Sequence, residues 1–221
     1  TNIHYEDDYL KVNNFTGKLG QSDFNTSLHY YLGNNEALDN QKNHFSFTSS
    51  FLDVDELTNY NLHSSSTAEE DSHDSVFNIY ELPFTNMTFD VDIHHMNYHH
   101  YMLDELNAKA HTTPNHYLYI DTLSVGIAGG RISTNGYFNG SNPNSIYFSP
   151  SMFVDKIDLD KLFFKFDNFG QDYLLSENVH GEFTGHITGK IHMHTDLVPK
   201  LDDSEIHVTS HIENGRLENF A

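Results

Sequence analysis

Residues 88–95 read TFDVDIHH. Phe89, Val91 and Ile93 alternate with Asp90 and Asp92, and successive side chains of a strand project to opposite faces, so this spelling gives one greasy face and one wet face. The same alternation recurs in YLKVNNF, HFSFTSSF, HYLYIDTLSV, SIYFSPSMFV, HGEFTGHITGKIHMHT and EIHVTSHIENGRL. With 17 Phe, 13 Tyr and no Trp, the local code is β for most of the length. The pairs Asn135-Gly136, Asn139-Gly140 and Asn214-Gly215 carry the chemistry of tight hairpin turns.

Helical signal is scarce. DVDELTNYNL from Asp53 and DLDKLFFKFDNFG from Asp158 each place an Asp where a first helical turn takes a capping acceptor, and the second is predicted to close at Gly170. YMLDELNAKA, 101–110, is read as strand. HSSSTAEEDSHDS, 63–75, has almost nothing to bury and reads as a mobile linker or long loop, and GNNEALDNQKN, 33–43, as the tip of a hairpin.

Two phrases in the chain are near copies: FLDVDEL at 51–57 and KIDLDKL at 156–162. Upstream of them, residues 9–32 align without a gap on 117–140, so that Leu10, Val12, Phe15, Leu19, Phe24 and Tyr30 fall on Leu118, Ile120, Leu123, Ile127, Ile132 and Phe138. This is an internal repeat of one β-meander capped by a short helix, with Leu57 or Leu162 expected to fold back onto the apolar face. The expected organisation is a first β-meander unit with its capping helix over 1–62, a polar acidic linker or loop over 63–80, and a second, larger β unit over 81–221.

At 221 residues the chain is long enough to bury a sizeable core. Eleven basic against 32 acidic residues leave a formal charge of −21, which repels phosphate backbones, so no nucleic-acid partner is expected. Cysteine is absent, which removes disulfides, thiolate metal sites and a cysteine nucleophile. No run of about 18 apolar residues occurs, and the chain opens inside a strand-like pattern, as expected of a piece of a longer protein whose export signal or anchor lies elsewhere.

The stretches IAGGRISTNGYFN, VDKIDLDKLFFKFDNFGQDYL and the closing NVHGEFTGHITGKIHMHTDLVPKLDDSEIHVTSHIENGRLENF resemble the C-terminal region of AsmA-like proteins of the Bacteroidota type. The matching positions are Phe169, Gly170 and Gln171, then Gly181, Gly185 and Gly189, then Leu197, Pro199 and Leu201, then Ile212, Asn214, Gly215, Leu217 and Phe220. NNFTGKLGQSDFNTSLHYYL resembles the family's upstream repeat, so the likeness spans nearly the whole chain. One departure is the abundance of histidine, 17 residues, where the family tends to carry Lys, Asn, Ser or small residues.

The resemblance implies a mainly β fold: antiparallel strands in a strongly curved, elongated sheet, a repeating β-groove with a few short helices, related to the bridge-like lipid transfer proteins. It implies a periplasmic location in the cell envelope of a diderm bacterium, anchorage to the inner membrane through a segment outside these residues, and phospholipid or another envelope lipid as partner. The implied work is phospholipid transport or outer-membrane lipid homeostasis, with no enzymatic activity and no cofactor. The apolar residues assigned to the inward, lipid-facing side are Leu10, Val12, Phe15, Leu19, Phe24, Phe45, Phe47, Phe89, Val91, Ile93, Leu118, Ile120, Ile127, Ile132, Phe183, Ile187 and Ile191. Alternation alone fits equally a closed sandwich core in a spacer or partner-docking domain. Gly181, Gly185 and Gly189, four apart, share one strand face and permit bending or close approach.

Other chemistry is weakly signalled. Asp53, Asp55, Asp158 and Asp160 are read as caps and solubilising groups rather than as acid/base or calcium pairs. His94, His95, His99 and His100, with His192 and His194, have the only metal-ligand spacings, and a histidine-based metal site is the third alternative. The sequons at Asn14, Asn25, Asn86 and Asn139 are expected by chance in a chain this rich in Asn, Ser and Thr. No Gly-x-Ser-x-Gly elbow is present for a serine nucleophile.

Overall fold

A computed structural model of the chain describes residues 2–33, 43–58, 84–98, 101–165, 175–195 and 200–219. Within them lie β1 (Asn2–Glu6), β2 (Tyr9–Leu19), β3 (Ser22–Tyr31), β4 (His44–Asp53), α1 (Val54–Thr58), β5 (Met87–Tyr98) and β6 (Tyr101–Thr113). They continue with β7 (Tyr117–Ile127), β8 (Gly130–Asn139), β9 (Ile146–Asp158), α2 (Leu159–Lys165), β10 (Val179–Met193), a single 3-10 turn (Leu201–Asp203) and β11 (Glu205–Leu217). All eleven strands form one sheet in sequence order, with β1 and β11 at its edges. The mainly β class holds, and segment 101–110 is strand. Every neighbouring pair is antiparallel except β4 and β5, which run parallel. The parallel step falls where the first expected unit meets the second, so the sheet is continuous across it.

The internal repeat is visible in the register. In β2–β3, Leu10 faces Tyr30, Val12 faces Leu28, and Phe15 faces Thr26. In β7–β8 the equivalent residues pair identically: Leu118 with Phe138, Ile120 with Gly136, and Leu123 with Thr134. Each hairpin carries its register shift at the same place, between Val12 and Phe15 and between Ile120 and Leu123. A one-residue slip would turn every apolar side chain to the wrong face, so the shared bulge keeps both hairpins in phase.

Both copies of the aliphatic-Asp phrase sit where a strand becomes a helix. Asp53 ends β4 and accepts the backbone N–H of Glu56 at 2.9 Å; Asp158 ends β9 and accepts that of Lys161 at 3.4 Å. These are N-caps, satisfying donors that a first helical turn leaves free. Each phrase also ties its helix to the preceding hairpin. The Glu56 carboxylate accepts the Gln21 N–H at the β2–β3 turn (2.8 Å), and Asp158 donates its N–H to the Ala128 carbonyl at the β7–β8 turn (3.0 Å). Leu162 packs back onto the apolar face as expected, but Leu57 does not and stays 41% exposed. Leu57 and Leu162 are each the fourth residue of their helix, so the difference lies in what each meets: the Ile127 cluster gives Leu162 an apolar seat, whereas Leu57 joins neither buried cluster. The expected helix stop at Gly170 lies outside the described residues, as do 34–42 and the 63–80 linker.

The Asn-Gly pairs do not make the hairpin turns. Asn135-Gly136 lies inside β8, Asn139-Gly140 at its end, and Asn214-Gly215 inside β11. Positive backbone angles are used at irregularities of the ladder instead: Asn214 (φ 53°) sits opposite Gly181 (φ 130°), where the β10–β11 register shifts between His180 and Glu182. The hairpin turns themselves use Asp7 and Asp8, Gly20, His116, and Ala128 with Gly129, all at positive φ. Asp tolerates that region through its short polar side chain, and Gly through having none.

The core is thin and placed towards the strand ends. Tyr101, Ile127, Val154 and Ile157 form one buried cluster, closed from above by Leu162 of α2. Phe138 and Ile146 form a second, joined by Phe84, Leu118, Phe148 and Met193. From β3, the Asp23 carboxylate accepts from the β4 N–H groups of Ser50 (2.8 Å) and Phe51 (3.0 Å) and from the Ser49 hydroxyl (3.1 Å). Two consecutive amides on one acceptor mark a local break in the ladder, and these bonds hold the Asp23 carboxyl down at about 2.

Candidate functional site: the apolar face of the sheet

Side chains opposite one another in a strand ladder lie on the same face, so the registers can be followed across the sheet. Starting at Phe15, the row reads Phe15, Thr26, Phe47, Val91, Ala108, Leu123, Thr134, Met152, Ile187 and Val208, one residue from each of β2 to β11. A parallel row reads Ile3, Val12, Leu28, Phe45, Phe89, Ala110 and Ile120. No charged residue interrupts either row.

The seventeen residues assigned from sequence fall together on this one face. Leu10 and Val12 pair with Tyr30 and Leu28, and Phe24 with Gly17 beside Phe15 and Leu19. Phe45, Phe47, Phe89, Val91 and Ile93 occupy adjacent positions of the parallel pair, Ile93 opposite Ser49. Leu118, Ile120, Ile127 and Ile132 share the β7–β8 face, and Phe183, Ile187 and Ile191 meet Ile157, Met152 and Phe148 of β9. The rings of Phe15 and Phe24 lie tilted to one another (centroids 5.7 Å apart), as do those of Phe45 and Phe89 (6.2 Å).

Burial sorts them into three groups. Ile93 (4%) and Ile127 (9%) are core residues. Phe15 (44%) and Leu19 (62%) stand exposed. The other thirteen are half-buried. All described strands belong to the one sheet, so none of them forms a second sheet facing it. Sequence reasoning missed residues that extend the same face, notably Met152, Phe148, Leu28, Val208 and Ile206. The alternation in SIYFSPSMFV and EIHV carried that signal.

The opposite face is wet and rich in histidine. One of its rows reads Lys11, His29, His44, Thr88, His111, Tyr119, Tyr137 and Ser149. Histidines here and at the strand ends meet carboxylates: His44 with Asp90 (3.6 Å), His111 with Asp121 (3.0 Å), and His180 with both Asp160 (2.8 Å) and Glu218 (3.8 Å). The His180 hydrogen bond holds the Asp160 carboxyl below the usual range, and the Glu105 bond raises His94. Asn139, nine-tenths buried, donates to the hydroxyls of Tyr117 (2.8 Å) and Tyr147 (3.0 Å), and the ammonium of Lys190 lies 4.2 Å from the Tyr147 ring centre. The Asn139 and Tyr137 hydrogen bonds together with Lys190 lower the Tyr147 hydroxyl.

Two cavities are lined by polar rows of this face. The larger, about 690 Å³, is bounded by Thr16, Lys18, Asn25, Thr48, Asp92 and His94, and the smaller, about 240 Å³, by Ser46, Asp90, Asn107, Lys109 and Thr122 among others. Among the described residues no group of three His, Cys, Asp or Glu side chains is placed to hold a metal ion. His94 and His95 each answer to a carboxylate of their own, Glu105 and Asp104, and His99 and His100 lie outside the described residues. Of the two Asp pairs, Asp53 and Asp158 act as caps, as expected, whereas Asp55 is buried and Asp160 is hydrogen-bonded to His180.

Compared with known proteins, the chain matches no family model, no curated protein and no solved structure.

Proposed function

We propose that this chain is a segment of an AsmA-like envelope protein whose apolar sheet face shields lipid acyl chains in the periplasm, supporting phospholipid transport or outer-membrane lipid homeostasis. The observation that carries the proposal is the uninterrupted row from Phe15 to Val208, apolar or threonine at every one of its positions, on a sheet with no described second sheet over it. A single-layer sheet in a protein that did nothing with this face would leave it wetted at a cost of roughly 25 cal/mol per Å².

The physical work is simple. Each methylene of a fatty chain left in water costs about 0.8 kcal/mol, so a chain of about 16 carbons does not cross an aqueous gap unaided at a useful rate. A continuous apolar surface removes most of that cost. Because neighbouring positions along the rows are chemically alike, a bound chain meets no deep minimum and slides, while its head group stays in water. The reaction class is transfer without bond making, so no side chain acts as acid, base or nucleophile. Anchorage to the inner membrane belongs to sequence outside these residues.

The test is the lipid content of the protein itself. The 221-residue chain, exported to the periplasm of a diderm host and purified without detergent, is analysed by native mass spectrometry and by organic extraction. Co-purifying phospholipid at a fixed ratio to protein is the expected result. A protein of the bare chain mass, with phospholipid no higher than for an unrelated periplasmic β domain, would rule the lipid role out.

A further inference from the structure

The chain has 13 tyrosines but neither tryptophan nor cysteine, so a one-electron oxidant finds its most readily oxidised side chains among the phenols. Four of them sit in an unbroken array of rings that crosses the wet face from β6 to β10. His111 stacks on Tyr119 (centroids 4.7 Å apart), Tyr119 neighbours Tyr117 (5.8 Å) and Tyr137 (6.1 Å), Tyr137 neighbours Tyr147 (6.0 Å), and His192 closes the row 6.0 Å from Tyr147. The ladder dictates this spacing. Tyr119 pairs with Tyr137, Asn139 pairs with Tyr117 on one side and Tyr147 on the other, and residues two apart on a strand share a face. All four phenols are half-buried, so each keeps some surface in water.

Within this array one pair is set for reaction. The Tyr137 hydroxyl is hydrogen-bonded to that of Tyr147, and their rings meet edge to face at 73°. A phenoxyl radical shares its unpaired electron between the oxygen and the two ring carbons beside it, so phenols that touch through their hydroxyls hold their coupling carbons together. Tyr117 is kept out, because the Asn139 amide donates to both Tyr117 (2.8 Å) and Tyr147 (3.0 Å) and stands between their hydroxyls. We propose that Tyr137 and Tyr147 form an oxidative modification site, at which a one-electron oxidant of the haem-peroxidase class joins the two rings as dityrosine and ties β8 covalently to β9. Each phenol gives up one electron and one proton, which together reduce one hydrogen peroxide to two waters. The two carbons bond, and the hydrogen on each moves to its own ring oxygen, so both phenols are restored and the chain is lighter by two hydrogen atoms. No strand has to move, because Tyr137 pairs with Ser149 and is therefore the diagonal neighbour of Tyr147 on a strand already paired. The inference is independent of the lipid role, since the site lies on the other face of the sheet.

The sequence makes the test direct. Cleavage after Lys and Arg releases the peptide 132–156, whose only tyrosines are Tyr137 and Tyr147. The dilute 221-residue chain is treated with a haem peroxidase and an equimolar amount of hydrogen peroxide, then digested and weighed. The expected product is a monomer on denaturing gels with dityrosine fluorescence, in which the peptide 132–156 has lost two hydrogen atoms. Tyr147→Phe is expected to lose that light peptide and most of the fluorescence, whereas Tyr9→Phe keeps both. Tyr9 and Tyr31 also stand close, at 5.0 Å, but Tyr31 is buried and the pair lies outside the array. Repeating the treatment in urea separates folded geometry from mere nearness in sequence, and there the light peptide is expected to give way to scattered links. No dityrosine in the wild-type chain, a link at Tyr9 and Tyr31 or chiefly between molecules, or an equal yield of the light peptide in urea would each overturn the inference.

Discussion

Val91→Asp is the sharpest probe of the apolar face. Val91 lies mid-row in β5, paired with Phe47 and Ala108 on its two sides, and is half-buried. A carboxylate there keeps its water, and a fatty chain passing over it loses contact over about two to three methylenes. At about 0.8 kcal/mol each this is roughly 2 kcal/mol, or about a 30-fold loss of lipid affinity. Folding suffers less, because the half-open site lets the new charge stay hydrated: a destabilisation of about 1–2 kcal/mol, a fall in Tm of about 2–8 °C for a chain of this size. Ile127→Asp is the contrasting case. Ile127 is packed in the cluster with Tyr101, Val154 and Ile157, so a charge there strikes folding first, by more than about 3 kcal/mol. Thr122→Asp places the same carboxylate on the polar face, opposite Lys109, and is expected to change neither quantity. The assay is phospholipid phosphorus per mole of purified protein, read beside a thermal melt. Undiminished lipid in a folded Val91→Asp protein, or equal loss in Thr122→Asp, would refute the assignment of this face. A Tm fall beyond about 10 °C in Val91→Asp would mean that the face is sealed.

Other consequences follow from the fold. Asp23 has a folded pKa of about 2, below its unfolded value near 3.8, so its contribution is fully present above about pH 4 and is lost as the pH falls towards 2. That contribution is roughly 1 kcal/mol after allowance for solvent screening, and Asp23→Ala should remove the acid-side slope it causes in urea unfolding measured from pH 5 to pH 2. Ile157 is 1% exposed and Leu57 41%, so Ile157→Ala should cost about 3 kcal/mol and Leu57→Ala under about 1, although both belong to copies of one phrase. Gly181 sits at φ 130° with the Glu213 carbonyl oxygen 2.9 Å from where a Cβ would lie, so Gly181→Ala is expected to destabilise by about 1–3 kcal/mol and to loosen β11. Faster amide exchange confined to the β10–β11 pair is the signature, and uniform exchange across the sheet would argue against it.

Much of this molecule is written in local spelling. Period-two alternation placed Phe89, Val91 and Ile93 on one face and Asp90 and Asp92 on the other because a strand offers only two sides. The copied phrases fixed two strand-to-helix junctions because Asp caps a helix with its own side chain, three residues from the amide it accepts. The gapless alignment of 9–32 on 117–140 carried even the pairing register, since hairpin neighbours are close in sequence. What the residues did not reveal is how these pieces join. The Asn-Gly pairs announce positive φ but not whether it serves a turn or a bulge, because that depends on the partner strand. The two repeats then diverge after their helices: β5 lies parallel to β4, whereas β10 lies antiparallel to β9. Phrases of one pattern do not encode that difference, which is set by which end of the sheet the chain re-enters. Nor does alternation distinguish Ile127 at 9% exposure from Leu19 at 62%, its counterpart in the other repeat. Burial is a property of what lies above the face: Leu162 of α2 packs on the cluster that holds Ile127, whereas its counterpart Leu57 in α1 is itself 41% exposed.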